Sequence, residues 1–117
     1  MPHLILEHSA NLDEQTNFTA LFKQCHRYLA EHLPTDIQSC KSRALAYSDY
    51  FVGDGQVKTA FVHLTLKIMA GRTADTLDRV GKQLLVYLQN YFAPAGQQQQ
   101  LALSLEIVEL SAAYFKD

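Results

Sequence analysis

The chain has 117 residues, 48% hydrophobic and 19% charged, with a formal net charge of -2. That length suits one domain spanning 1–117 with a proper core. The apolar content excludes a disordered chain, and the scattered basic residues exclude a nucleic-acid surface.

The chain opens MPHLILEHSAN. Residues 3–8 are short and apolar and read as a strand. Pro2 cannot donate to a ladder but is tolerated at the first strand position. If Met1 is removed, the Pro2 nitrogen becomes a free secondary amine, able to act as a base. Asn11 to Glu14 resembles a capping box, with Asn17 a second candidate for the helix start. Phe18, Leu21, Phe22, Cys25, Tyr28 and Leu29 then recur at the spacing of one helix face, and Pro34 ends the helix.

Residues 40–48 read as a second strand, with Lys41, Arg43, Leu45 and Tyr47 on one face. Residues 49–58 contain Gly53-Asp54-Gly55 and predict a turn or small hairpin. Residues 59–68, TAFVHLTLKI, give the clearest strand. Val62, Leu64, Leu66 and Ile68 form its aliphatic face, and Phe61, His63, Thr65 and Lys67 the other. At the junction Ala70-Gly71-Arg72-Thr73, Thr73 is a good N-cap and Asp75 falls in the first turn. Leu77, Val80, Leu84, Leu85, Leu88 and Phe92 continue at helical spacing, and Pro94 is expected to stop the helix. After the short polar run 97–100, residues 101–109 read as the last strand. Its tail, SAAYFKD, reads as a loop or a docking segment.

The order is β-α-β, a hairpin, then β-α-β, with pseudo-repeats at about 2–48 and 59–109. A strand–helix–strand unit makes its two strands parallel with a right-handed crossover. The expected fold is therefore α+β, a four-stranded mixed sheet with two helices on one face. The opposite face is left bare, carrying Phe61, His63, Thr65 and Lys67 with Leu45 and Tyr47 as neighbours. Such a face predicts oligomerisation.

Other features are bland. Cys25 lies on an apolar helix face as a buried thiol, and Cys40 has no role; two cysteines make no disulfide framework. His3 and His8 face opposite sides of a strand, His26 and His32 lack helical ligand spacing, and His63 stands alone, so no metal site is expected. No apolar run approaches the ~20 residues of a membrane span, and the start lacks a signal-peptide pattern. A cytoplasmic location without membrane or nucleic-acid partners is the expectation.

Several landmarks together carry a resemblance. They are the opening Pro2-His3-Leu4-Ile5-Leu6-Glu7-His8-Ser9, the Lys41-x-Arg43 pair, the turn Asp54-Gly55-Gln56, the run AFVHLTLKIMAGR from Ala60 to Arg72, and the late LALSLEIVEL stretch. With the doubled β-α-β order, the chain resembles the tautomerase superfamily, and within it the 5-carboxymethyl-2-hydroxymuconate isomerases, from Pro2 to about Glu109. The resemblance implies a homotrimer with sites near subunit contacts and no cofactor. It also implies removal of Met1, with Pro2 as the base that moves a proton between carbons of an unsaturated 2-hydroxy or 2-oxo carboxylate. Arg72, Lys41 and Arg43 would bind that small molecule. Lys41 departs from the family pattern, which has arginine at both positions of the pair; lysine keeps the charge but loses the bidentate fork.

The chemistry is consistent with those residue types. A free α-amino group has a reference pKa of about 7.7–8.0. Nearby cations and an apolar pocket lower it, and a base works best with a pKa near ambient pH. Cations also stabilise a developing dienolate and hold carboxylates. One assignment gives Arg72 a substrate carboxylate and gives Arg43 with Lys41 the 2-oxo acid end or a second carboxylate. Two other readings stay open: a non-catalytic trimer that binds a carboxylate, and a tautomerase of another 2-oxo acid.

Overall fold

The computed structural model describes residues 1–12 and 17–117. Strand β1 (His3–Ser9) is followed by helix α1 (Thr19–His32), a 3-10 turn (Ile37–Ser39) and strand β2 (Lys41–Tyr47). Strand β3 (Thr59–Ile68), helix α2 (Ala74–Tyr91), helix α3 (Ala93–Gln98) and strand β4 (Gln100–Glu109) complete the order. All four strands join one sheet in the order β2-β1-β3-β4. Each strand–helix–strand unit closes with parallel strands, β1 with β2 and β3 with β4, and β1 meets β3 antiparallel. This is the four-stranded mixed sheet expected from the sequence.

Alternation along the strands decides which face the helices cover. Leu4 and Leu6 of β1 lie on the same face as Val62, Leu64, Leu66 and Ile68 of β3, and all six are buried. Leu21, Cys25 and Leu29 of α1 and Val80, Leu84 and Leu88 of α2 close over them. From β4, the predicted face of Leu101, Leu103, Leu105 and Ile107 packs against this core. Each fully buried leucine stabilises the fold by about 1.5–3 kcal/mol over leaving it in water. Cys25 is free and only 1% exposed, and burial pushes its thiol up to about 12.

Helix starts follow local chemistry. The Asn17 side chain accepts the Thr19 N–H at 3.0 Å at the head of α1. Thr73 caps α2 by accepting the Thr76 N–H, with Asp75 in the first turn. Asn11 instead donates its amide to the Thr59 carbonyl at 2.8 Å, tying the end of β1 to the start of β3. The other half of the expected capping box, Glu14, lies outside the described residues.

Three expectations change. Of the turn or small hairpin expected over 49–58, the turn holds and the hairpin does not, because β3 pairs with β1 rather than with β2 and the linker must pass the end of the central strand. The linker turns through Gly55, whose φ is +84° and where a Cβ would meet the Phe51 ring at 2.7 Å. Pro94 does not simply end a helix: α2 stops at Tyr91, and Pro94 sits in the first turn of α3, where its missing N–H costs nothing. Finally, His63 is not alone. Its Nδ1 lies 2.7 Å from Ser104 Oγ and its Nε2 3.0 Å from Glu106 Oε1, on the sheet face away from the helices.

That open face also carries Tyr47, whose hydroxyl donates to Glu7 at 2.6 Å and whose ring lies 6.4 Å from Phe61. Leu45 beside them is 52% exposed. A polar network with apolar side chains between its members is what the sequence placed there.

Leu64 sits at the middle of the buried face, opposite Leu6 on one side and Leu105 on the other. Leu64→Ala should destabilise the fold by about 2–5 kcal/mol, through lost burial and the cavity left behind. Chemical denaturation followed by circular dichroism measures it, and a loss below 1 kcal/mol would show that the core does not centre on β3.

Candidate active site

The site forms where four connections of the chain meet. Pro2 precedes the first residue of the central strand and is buried. Its carbonyl accepts the Lys41 N–H at 3.0 Å, which extends the β1–β2 pairing by one step. Because β3 runs antiparallel, its last residues reach the same end: His3 lies opposite both Lys41 and Lys67. The junction carrying Arg72 follows immediately. Parallel pairing and one antiparallel step thus bring Pro2, Lys41 and Arg72 to one end of the sheet.

Arg72 is half-buried, and its guanidinium is already engaged. Nη2 donates to the Leu33 carbonyl at 2.9 Å and Nη1 to the Met69 carbonyl at 3.0 Å. Leu33 ends α1, so this arginine satisfies a helix C-terminus and complements its dipole. Lys41 is exposed and donates from Nζ to the Ser39 carbonyl at 3.2 Å. Arg43, one rung along the open face, donates from Nη1 to His3 Nδ1 at 3.2 Å.

That last bond fixes the imidazole. An arginine can only donate, so Nδ1 accepts and neutral His3 carries its proton on Nε2. Nε2–H then donates to the Tyr114 hydroxyl oxygen at 3.0 Å. Burial, and then the charges of Arg43, Lys41, the chain's amino group and Lys67, hold His3 below the ordinary histidine range.

The amino group itself is lowered from its usual value. Burial is the main cause, followed by the charges of Lys116 and Arg72, opposed by Cys40 and reinforced by Lys41. It belongs to Met1, so with Met1 in place the Pro2 nitrogen is a tertiary amide. Removal of Met1 would place the free amine one residue deeper, since Pro2 is buried and Met1 only half-buried.

His3, Lys67, Tyr114 and Lys116 also lie at this end of the sheet, though none of them is assigned a site role from the sequence. His3 and Lys67 were legible in principle, as side chains sharing a strand face with Lys41 and Arg43. Tyr114 and Lys116 follow the last strand, where no periodicity says which way a tail turns. Tyr50 and Phe51 line a cavity of about 360 Å3 with Val52, Gly55 and Thr59. It lies beyond the far end of β1, about 20 Å from Pro2 at the ~3.3 Å rise per strand residue.

Comparison with known proteins identifies the family and the fold. The family model described as 5-carboxymethyl-2-hydroxymuconate isomerase matches residues 2–117. A 5-carboxymethyl-2-hydroxymuconate Delta-isomerase from Escherichia coli is 36% identical over 110 residues, covering 94% of this chain and 87% of that protein. The crystal structure of a 5-carboxymethyl-2-hydroxymuconate isomerase from Deinococcus radiodurans R1 superposes with a TM-score of 0.91 at 34% identity. That match covers 99% of this chain and 88% of the other. At the level of fold alone, a fused 4-OT symmetric trimer matches with a TM-score of 0.66 at 16% identity, covering 98% of this chain and 94% of that one.

Replacing Arg43 removes both a charge and a hydrogen bond that favour neutral His3. Arg43→Ala should therefore raise the His3 pKa, though not to its full ordinary value, because burial and the other cations persist. Proton NMR titration of the imidazole C–H signals measures it; an unmoved or falling pKa would contradict the described pairing.

Proposed function

The chain belongs to the 5-carboxymethyl-2-hydroxymuconate isomerase family, and from that premise we propose that it is a 5-carboxymethyl-2-hydroxymuconate Delta-isomerase using the amino-terminal proline, freed of Met1, as its base. The observation that carries this reading is the setting of the chain's first residues, a buried proline at a chain end where burial and cations depress the amine. Lowering the pKa of an amine raises the share of its unprotonated, proton-accepting form at a given pH.

In the proposed reaction the Pro2 lone pair takes a proton from the bound substrate. The electrons left behind spread into a dienolate, and a cation beside the developing oxyanion stabilises it. Protonated Pro2 then returns a proton to another carbon, and the C=C bond has shifted. The amine ends as it began and no electrons leave the substrate, so neither metal nor organic cofactor is called for.

Substrate binding is assigned to Lys41, Arg43 and Arg72. Lys41 and Arg43 point from the open sheet face, one rung apart, and take the 2-oxo acid end or a second carboxylate. The two carbonyl bonds of Arg72 use two of its five N–H donors, so three remain to grip a carboxylate with both bonds kept.

We further infer a homotrimer. The sheet face away from the helices carries exposed Leu45 beside Tyr47 and Phe61, and an apolar face of this kind calls for a cover. A fold relative is a symmetric trimer. In one protomer the aromatic linker stands far from Pro2, so a neighbouring copy is the simplest source of apolar cover at the site. No helix among the described residues is long and apolar enough to cross a membrane. We place the enzyme in the cytoplasm, in the breakdown of homoprotocatechuate-type aromatic compounds.

The experiment pairs intact mass with turnover. Untagged protein should lack one methionine and isomerise 5-carboxymethyl-2-hydroxymuconate. Pro2→Ala, with Met1 again absent, should lose about 10²–10⁴-fold in kcat, the usual contribution of a positioned base. A retained Met1 in active protein, or a Pro2→Ala variant of normal activity, would remove proline from the mechanism. Inactive mature protein that still binds the substrate would favour a carboxylate-binding role.

A further inference from the structure

Beyond Pro2 and the three assigned cations, we propose that the segment 110–117 is part of the site. Lys116 binds a substrate carboxylate, and Tyr114 is the positioning residue that holds the segment in place. This rests on the reading of Pro2 as base and deepens it.

The geometry begins at the end of β4. Leu110 N–H donates to the Ile68 carbonyl at 2.7 Å, so the chain leaves the sheet beside the end of β3. That is the Pro2 end, because Lys67 lies opposite His3. A short turn follows, in which Ala113 N–H donates to Ser111 Oγ at 3.0 Å. Tyr114 then docks on His3. Its hydroxyl accepts from Nε2 at 3.0 Å, and its ring meets the imidazole edge-on with centroids 6.0 Å apart. Two residues later, Lys116 Nζ lies 3.4 Å from Met1 Sδ.

A thioether is a weak acceptor for an ammonium group. It is also the contact that disappears when Met1 is removed. Lys116 then loses that contact while remaining at the end of the sheet where Pro2 lies. The three assigned cations have partners: Arg72 holds two carbonyls, Lys41 one, and Arg43 holds His3. A muconate bearing a carboxymethyl group presents three carboxylates, and the flexible stem of a lysine suits it to follow one that moves as the double bond shifts. Of the charges that depress the Met1 amine, Lys116 is the foremost.

The chain therefore has two routes to cationic binding at Pro2, one through strand β2 and one through the tail. The tail is latched by an aromatic pair, and its grip depends on His3 carrying a proton on Nε2. Lysine at position 41 lacks the bidentate fork of an arginine on the strand side, and Lys116 supplies charge from the other side.

The test uses untagged protein whose mass shows Met1 absent, with Lys116→Gln, Lys116→Arg and Tyr114→Phe. Lys116→Gln should raise KM for 5-carboxymethyl-2-hydroxymuconate about tenfold or more, as expected for one lost charged hydrogen bond, with a smaller change in kcat. It should also raise the Pro2 amine pKa, read by NMR of proline labelled with 15N. Lys116→Arg should restore both, and Tyr114→Phe should move both in the same direction by less. Wild-type KM and an unmoved Pro2 titration in Lys116→Gln would overturn the proposal, as would no recovery with arginine. If the base reading itself fails, through no turnover by mature wild type, the binding of propane-1,2,3-tricarboxylate, followed by amide NMR shifts, still decides. Weaker binding by Lys116→Gln supports the contact, and equal binding overturns it.

Discussion

Everything at the candidate site depends on β1 being an interior strand. A first strand at a sheet edge leaves its start to fray; here β1 is paired on both sides, parallel to β2 and antiparallel to β3. Its backbone groups are therefore satisfied within the sheet, which is the condition for burying them. Pro2, with no N–H to offer, can precede such a strand without leaving a hole in the ladder, and its carbonyl still accepts from Lys41. The same two pairings carry the basic end of β2 and the end of β3 to the chain's start. A reactive group on a flexible terminus would pay entropy each time it engaged its substrate. One held by two neighbouring strands is already in place.

The charge distribution follows from that pairing. The protein as a whole is slightly acidic, yet Lys41, Arg43, Lys67, Arg72 and Lys116 gather about one end of the sheet. The carboxylates of Glu7 and Glu106 lie further along the open face, bonded to Tyr47 and His63. Local field and net charge are separate properties, and an anionic substrate responds to the first when it is close. The imidazole of His3 sits among four positive groups and stays neutral, which lets it act as a connector between Arg43 and Tyr114 rather than as another cation.

Much of this fold was legible in the sequence because its signals are local. The alternation of 59–68, the helical spacing from Leu77 to Phe92, and the Thr73 cap each specify an element without reference to the rest of the chain. The basic pair on β2 and the junction arginine were legible in the same way. What was not legible depends on distant partners. Strand order is one case: a glycine-rich linker looks like a hairpin until the sheet places β1 between the strands it joins. Proline at 94 is another, since the same ring that stops one helix suits the first turn of the next. The carbonyl partners of Arg72 and the docking of Tyr114 come from chain segments far apart in sequence, and no periodicity encodes them.

The buried thiol has a chemical consequence in the setting proposed for this enzyme. Catechol-type compounds oxidise readily to quinones, which alkylate thiolates. With its pKa at about 12, Cys25 is ionised at neutral pH to only about one part in 10⁵, and the thiolate is the form that reacts. Cys40 is likewise raised by burial. In the proposed setting the two buried cysteines would offer such electrophiles almost no nucleophilic sulfur, and the core they pack into would stay intact.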